Sequence, residues 1–232
     1  MQTKLSFLVL CVAFCFTWFF GEPLYFDRIL FAILIATTVL SFKWDKNLFA
    51  ISLVVLCELA LEEIFWLFSR DNNWLLLPAY AYCLLAIYIN RRELSGKLAF
   101  MVFALSLCAE IYWLLADKQG PRIFFYIFIC GNLLLLKHYA FMRPHICNRN
   151  FKQYHHWKWI KTDGQVEDYA MLHLGLNLAM ISEYLLRHIA GMNNALYVYH
   201  GYSYLSHVIN GFLFLIIAIA LTNTIKSKLF TA

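Results

Sequence analysis

The sequence predicts an all-α integral membrane protein, a bundle of about eight transmembrane helices, and its composition is the first reason. Hydrophobic residues occupy 62% of the 232 positions, charged residues occupy only 14%, and the mean hydropathy is +0.63. Soluble domains are roughly half apolar and about a quarter charged, so this chain is expected to lie in lipid. Its 9 Gly, 4 Pro and scattered basic residues exclude collagen-like, disordered and nucleic-acid-binding classes.

The second reason is the length of the apolar runs. A helix needs about 20 residues to cross a hydrocarbon core of about 30 Å. The runs predict eight spans, a number compatible with four hairpins, and an even number places both termini on one side. The first run also fits a signal peptide, but the residues at its end, 17–20, are bulky where cleavage sites are small, so we expect a retained helix. The predicted spans are 5–20, 24–42, 47–68, 74–90, 97–116, 122–142, 169–190 and 202–222.

The third reason is the distribution of basic residues along those spans. Fourteen of the 19 Lys and Arg fall at the termini or in the even-numbered connections, and five fall on the other side. Since basic residues remain on the cytoplasmic side, both termini are predicted to be cytoplasmic. The compact connections indicate a multi-pass protein of a bacterial inner (plasma) membrane. Six of the seven cysteines lie inside predicted spans and the seventh in a cytoplasmic loop, so no disulfides are expected.

The connections are short, so residues 1–232 are predicted to form a single polytopic domain with one long cytoplasmic loop, 143–168. Basic and aromatic residues alternate in this loop, which predicts a segment lying on the anionic headgroups of the cytoplasmic face. A metal site is the weaker alternative, because zinc ligands usually come in pairs around a tight turn. The lipid-surface residues are Arg149, Lys152, Trp157, Lys158, Trp159 and Lys161, and the weak metal candidates are His145, Cys147, His155 and His156.

Glutamates inside the spans are the first candidate site residues, since a carboxylate in lipid is costly unless it is paired or serves a function. A weak repeat aligns Glu63 and Glu110, each followed by an apolar and aromatic stretch, with Glu183 as a looser third copy. Pairing is the structural alternative. Arg187 follows Glu183 by four residues on the same helix face, and Arg70 and Arg122 follow the other two.

The third span is the most acidic. Glu58 and Glu62 are four residues apart and share one helix face, whereas Glu63 lies about 100° around the helix from Glu62. No Lys or Arg lies within this span. Glu58 falls near the middle of the bilayer, so Glu58 and Glu62 are the best candidates for functional acids.

The seventh and eighth spans carry polar stripes at helical spacing. Histidine and asparagine share one face of each span, and interhelical hydrogen bonding is the structural alternative to a functional site. The stripes are His173, Asn177, Met180, Tyr184 and His188 in the seventh span and Ser203, His207, Asn210 and Gly211 in the eighth.

Together these features predict a channel or transporter-like subunit with an intramembrane Glu/His polar path. The predicted path consists of Glu58, Glu62, Glu63, Glu110, His173, Asn177, Glu183, His207 and Asn210. The alternative is a non-catalytic accessory or protective subunit that binds another membrane protein. A homo-oligomer is a further possible assembly.

Enzymatic alternatives have less support. No hydrolase, kinase or nucleotide-binding motif is present, so no cofactor is predicted and the balance is against an enzyme. The remote alternative is a b-type haem or metal-dependent membrane enzyme, because two histidines at matched depth can hold an iron. The external pair would be His188 with His207, and the internal pair His138 with His173.

Overall fold

A computed structural model describes residues 23–69, 73–115, 123–151, 156–192, 194 and 196–230, and within these ranges the chain is all-helical without strands. The predicted first span, 5–20, lies outside the described residues. A short 3₁₀ helix, Asn73–Leu75, precedes α3. The seven helices are α1 (Pro23–Trp44), α2 (Lys46–Ser69), α3 (Leu76–Ile89), α4 (Leu94–Leu115), α5 (Phe124–Phe151), α6 (Lys161–Ile189) and α7 (Tyr197–Phe230).

Three of the described helices are long and apolar enough to cross a membrane: Leu94–Trp113 in α4, Phe124–Phe151 in α5 and Tyr197–Ser227 in α7. They coincide with the predicted fifth, sixth and eighth spans, so the prediction of membrane helices is confirmed. Helix α3 is apolar but has only 14 residues. Helices α1, α2 and α6 cover the predicted second, third and seventh runs. The count of eight spans and the side of the termini stay predictions.

Two helices extend well beyond the apolar runs that predicted them. Helix α5 continues to Phe151 and α6 already begins at Lys161, so both ends of the predicted 143–168 loop are helical. The prediction was wrong here because hydropathy marks the apolar part of a helix, whereas backbone hydrogen bonding continues through polar residues. Even Pro144 lies inside α5. Residues 156–160 are the described part of the connection.

The chain divides into two compact units, and α2, α5, α6 and α7 contribute residues to both. Unit 1 comprises Met1–Leu59, Leu136–Tyr169 and Ser203–Ala232. Its core is built from large aliphatic side chains. Fully buried examples are Leu34, Leu48, Ile51, Val55, Leu213 and Ile217.

Asp45 fixes the start of α2 inside unit 1. Its carboxylate Oδ1 accepts hydrogen bonds from the backbone amides of Asn47 at 2.9 Å and Leu48 at 3.2 Å. The first amides of a helix have no partner within the helix, so this side chain acts as the N-cap. The cap separates α1 from α2 with a single residue between them.

Unit 2 comprises Ala60–Leu135 and Ala170–Tyr202, and its packing relies on small residues. A Cβ atom at Gly131 of α5 would lie 2.9 Å from the Cα of Cys83 in α3, so only glycine allows these two helices to approach so closely. Asn90 ends α3 and donates from Nδ2 to the carbonyl of Leu134 at 3.2 Å, which joins α3 to α5 a second time.

Candidate functional site

A chain of polar side chains links α6 to α7 within unit 2. The hydroxyl of Tyr202 donates to Oδ1 of Asn177 at 2.9 Å, and Nδ2 of Asn177 donates to the carbonyl of His173 at 3.1 Å. His173 and Asn177 are buried. The carboxylate of Glu62, on α2, interacts electrostatically with Tyr202. Three predicted path residues are thereby brought together, and we call Glu62, Tyr202, Asn177 and His173 the unit 2 path.

Tyr202 is a member of this path that the sequence analysis missed. It stands directly before the predicted Ser203 stripe but on a different face of the helix. The signal that would have found it is the spacing of Tyr202, Ser206 and Asn210, which recur every four residues and share a face. The aromatic ring of Tyr126 packs perpendicular to Tyr202 with 5.6 Å between ring centroids.

The polar residues of the eighth predicted span fall in unit 1. The hydroxyl of Tyr169 donates to Oδ1 of Asn210 at 3.0 Å, and both residues are buried. Nδ1 of the buried His207 contacts the carbonyl of Ser203 in the preceding turn. These contacts are hydrogen bonds between and within helices, which is the structural alternative for this stripe.

The three acids of α2 occupy three different environments. Glu58, in unit 1, is buried with 4% of its surface exposed. In unit 2, Glu62 is half-buried and its neighbour Glu63 is exposed. The exposure of Glu63 agrees with its predicted displacement of about 100° from Glu62 around the helix.

Glu183 binds the start of α7. Its carboxylate accepts hydrogen bonds from the backbone amides of Val198 at 2.6 Å and Tyr199 at 3.0 Å. Amides in the first turn of a helix have no intrahelical acceptor, and the helix dipole favours an anion there. Glu183 therefore accepts hydrogen bonds from the first turn of α7 and stabilises the start of that helix. The sequence alone had suggested Arg187 as its partner.

Glu110 of α4 lies half-buried in unit 2. Its carboxylate interacts electrostatically with the hydroxyls of Tyr80 in α3 and Tyr184 in α6. The arginines offered as partners for Glu110 and Glu63, Arg122 and Arg70, lie outside the described residues.

The strongest polar cluster of unit 1 was not predicted as a site. Arg143 of α5 forms a bidentate ion pair with Asp163 of α6, at 2.6 Å from Nε to Oδ1 and 2.7 Å from Nη2 to Oδ2. Nη2 of the arginine also donates to the carbonyl of Lys158 at 2.7 Å, and the amide of Ile160 donates to Asp163 at 2.8 Å. Oδ1 of Asn47 accepts from the Lys158 amide at 3.0 Å. We call these residues the Arg143 cluster, and it holds the connection between α5 and α6.

The predicted lipid-surface residues divide into exposed and buried positions. The indole of Trp157 is not available to headgroups as predicted, because only 8% of this residue is exposed. Its backbone amide and carbonyl both bond the side chain of Asn148, at 3.0 Å and 2.8 Å. Lys152 lies outside the described residues. The exposed positions are Arg149, Lys158, Trp159 and Lys161.

The predicted metal candidates are spread along the end of α5 and the connection. His145 and His156 are exposed and Cys147 is half-buried, while His155 lies outside the described residues. Among the residues that the structure describes, no group of three or more His, Cys, Asp or Glu side chains is placed to hold a metal ion.

The histidines considered for haem differ in their surroundings. The ring of His188 stacks on Tyr184 at 4.2 Å between centroids and meets Trp113 edge-on at 6.3 Å. His138 belongs to unit 1 and His173 to unit 2.

Comparison with known proteins returned no relationship: no family model, curated protein or solved structure matches this sequence.

Proposed function

We propose that the protein is a channel or transporter-like membrane subunit in which the unit 2 path binds a proton or a small cation. One observation carries the proposal: a carboxylate, a tyrosine hydroxyl and a buried asparagine from three helices come together in a chain rich in apolar residues. Ionisable side chains among membrane helices usually face a path or a partner, because exposure to lipid is costly.

The chemistry of each group supports this assignment. Glu62 supplies the negative charge that a proton or cation needs. The Tyr202 hydroxyl directs its proton to Asn177 at 2.9 Å, keeps oxygen lone pairs as acceptors, and interacts electrostatically with that charge. Asn177 is held in turn by the His173 carbonyl at 3.1 Å, so the tyrosine is fixed by a buried scaffold.

Reconstituted flux tests this proposal. Purified protein in liposomes carrying a proton or potassium gradient is expected to dissipate the gradient, measured with a pH-sensitive dye or an ion electrode. Glu62→Gln removes the charge and is expected to reduce the rate about tenfold or more, the equivalent of at least about 1.4 kcal/mol. Tyr202→Phe removes only the hydroxyl and is expected to reduce the rate severalfold.

Two matched variants control for general damage. Glu63→Gln changes the adjacent exposed acid of α2, and Tyr204→Phe changes an exposed tyrosine of α7, so both are expected to retain wild-type flux. Equal rates in wild type and Glu62→Gln, or no flux in wild type, would contradict the proposal. That outcome would favour the accessory or protective subunit, which binds another membrane protein and moves no ion.

The proposed location is a bacterial inner membrane, with both termini and the α5–α6 connection in the cytoplasm. Exposed Arg149, Lys158 and Lys161 support this orientation, since basic residues near helix ends favour the cytoplasmic, anionic face. Reporters placed after Ala232 and within 156–160 are both expected to read cytoplasmic. An external signal from either one would show that the number of spans is wrong.

A further inference from the structure

Among the described residues, unit 2 contains five buried polar side-chain atoms that have no hydrogen-bond partner. One is Oδ1 of Asn90, at the end of α3. The other four come from three helices: the hydroxyl of Tyr80 in α3, Oε1 of Glu110 in α4, and the hydroxyl of Tyr184 with Nε of Arg187 in α6. Only 5% of Tyr80 is exposed. Buried polar atoms are nearly always hydrogen-bonded in folded proteins, so these four atoms require an explanation.

Three electrostatic interactions link the four groups. The Glu110 carboxylate interacts electrostatically with both tyrosine hydroxyls, and Arg187 interacts with Tyr184. Tyr184 is thus the group that experiences both charges. Aromatic rings surround it, because Trp113 packs perpendicular to it at 6.3 Å and His188 stacks on it at 4.2 Å.

Glu110 and Arg187 carry opposite charges, and each has a polar atom that is available for a further hydrogen bond. Among the residues that the structure describes, neither Oε1 of Glu110 nor Nε of Arg187 has a hydrogen-bond partner, so these two atoms do not bond each other. The nearby acid Glu183 is already bonded to two amides of α7, at 2.6 Å and 3.0 Å. The Arg187 guanidinium carbon lies 5.6 Å from the centre of the Tyr199 ring, which holds its charge without using its N–H groups.

We propose that Tyr80, Glu110, Tyr184 and Arg187 form a binding site for a zwitterion that carries a primary ammonium group and an anionic oxygen. The ammonium group donates to Glu110 and the Tyr80 oxygen, and the anionic oxygen accepts from Arg187 and the Tyr184 hydroxyl. Both interactions are charge-assisted hydrogen bonds, which are stronger than neutral ones. This site is separate from the unit 2 path and does not depend on the proposed ion flux.

The charge pattern selects against simpler ligands. A lone cation is attracted by Glu110 but repelled by Arg187. A lone anion is attracted by Arg187 but repelled by Glu110. Only a molecule with both charges gains from both residues. Such chemistry occurs in soluble aminophosphates and in the ethanolamine headgroup of phospholipids, and the experiment below separates these two sources.

Calorimetric titration of the full chain in an uncharged maltoside detergent tests the site, with phosphoethanolamine as the probe. Saturable binding is expected, and ethylamine or inorganic phosphate alone is expected to bind at least about tenfold more weakly, the equivalent of about 1.4 kcal/mol. Glu110→Gln and Arg187→Gln are expected to weaken phosphoethanolamine binding by the same factor. Tyr184→Phe, which removes one oxygen and keeps the ring packing, is expected to weaken it severalfold.

Glu63→Gln and Arg92→Gln are the controls, because they remove exposed charges of the same signs and are expected to bind like wild type. A second arm compares retention of phosphatidylethanolamine and phosphatidylglycerol by native mass spectrometry. Preferential retention of phosphatidylethanolamine that is lost in Tyr184→Phe assigns the lipid headgroup, and phosphoethanolamine binding without that preference assigns a soluble ligand. The proposal is overturned if neither probe binds, if ethylamine binds as tightly as phosphoethanolamine, or if Tyr184→Phe and the charge variants bind like wild type.

Discussion

The Arg143 cluster of unit 1 and the group of Tyr80, Glu110, Tyr184 and Arg187 in unit 2 each combine an acid and an arginine that have buried polar atoms, but they use those charges differently. Arg143 and Asp163 bond each other twice, and the neighbouring backbone groups occupy further donors and acceptors. Within the described part of the chain, Oε1 of Glu110 and Nε of Arg187 have no hydrogen-bond partner. Burial of acidic and arginine side-chain atoms therefore does not by itself identify their role. The completeness of their hydrogen bonding separates a structural cluster from a candidate binding site.

The largest expected effect is the loss of stability when the Arg143 cluster is broken. Arg143→Ala leaves the carboxylate of Asp163 buried without its counter-ion, and breaking one side of a buried ion pair typically costs about 3–5 kcal/mol. We expect the free energy of unfolding in mixed micelles, measured by titration with a denaturing detergent, to fall by that amount. Arg149→Ala removes an exposed arginine of the same helix and serves as the control, with an expected change within about 0.5 kcal/mol. Equal loss in both variants would remove the distinction between the two arginines.

A smaller effect is expected where unit 2 depends on close helix packing. A Cβ at Gly131 would lie 2.9 Å from the Cα of Cys83, so Gly131→Ala forces α3 and α5 apart at an expected cost of about 1–3 kcal/mol. Because α3 also carries Tyr80, the same variant is expected to weaken phosphoethanolamine binding in the calorimetric titration. Unfolding in mixed micelles measures the loss of stability.

Gly175→Ala is the matched control for that packing prediction. Among the described residues, no heavy atom outside the adjacent residues and the local backbone of α6 lies within 4 Å of the Cβ that alanine would add at Gly175. Alanine also favours a helix over glycine by about 0.5–1 kcal/mol. We therefore expect the free energy of unfolding to stay the same or rise slightly. A loss as large as that of Gly131→Ala would mean that the effect does not come from the α3–α5 contact.

Helix type and approximate position were predictable because apolar runs and charge distribution are local properties of the sequence. The ends of α5 and α6 could not be predicted in this way. They lie near the contact between Arg143 and Asp163, which are 20 residues apart in the chain. Among the site residues, Glu62, His173 and Asn177 were predicted from spacing. Tyr202 was missed because its four-residue spacing with Ser206 and Asn210 lies among many aromatic residues, and it joined the set when the structure showed its hydroxyl donating to Asn177.

Glu183 is a second residue whose partner could not be predicted from the sequence. A glutamate with an arginine four residues later predicts an ion pair within one helix. The structure instead gives Glu183 two backbone amides of α7, at 2.6 Å and 3.0 Å. Those amides need an acceptor because they start a helix, but no pattern in the sequence reveals which distant acid reaches them.

The free energy of unfolding of Glu110→Gln tests the central distinction most directly. If Glu110 belongs to a binding site, removal of its charge relieves a desolvation cost and breaks no ion pair, so the value is expected to stay within about 1 kcal/mol of wild type or to rise. Arg143→Ala, measured in the same micelles, is expected to lose about 3–5 kcal/mol. A loss of similar size in Glu110→Gln would contradict the account, because it would show that Glu110 stabilises the fold as the Arg143 cluster does.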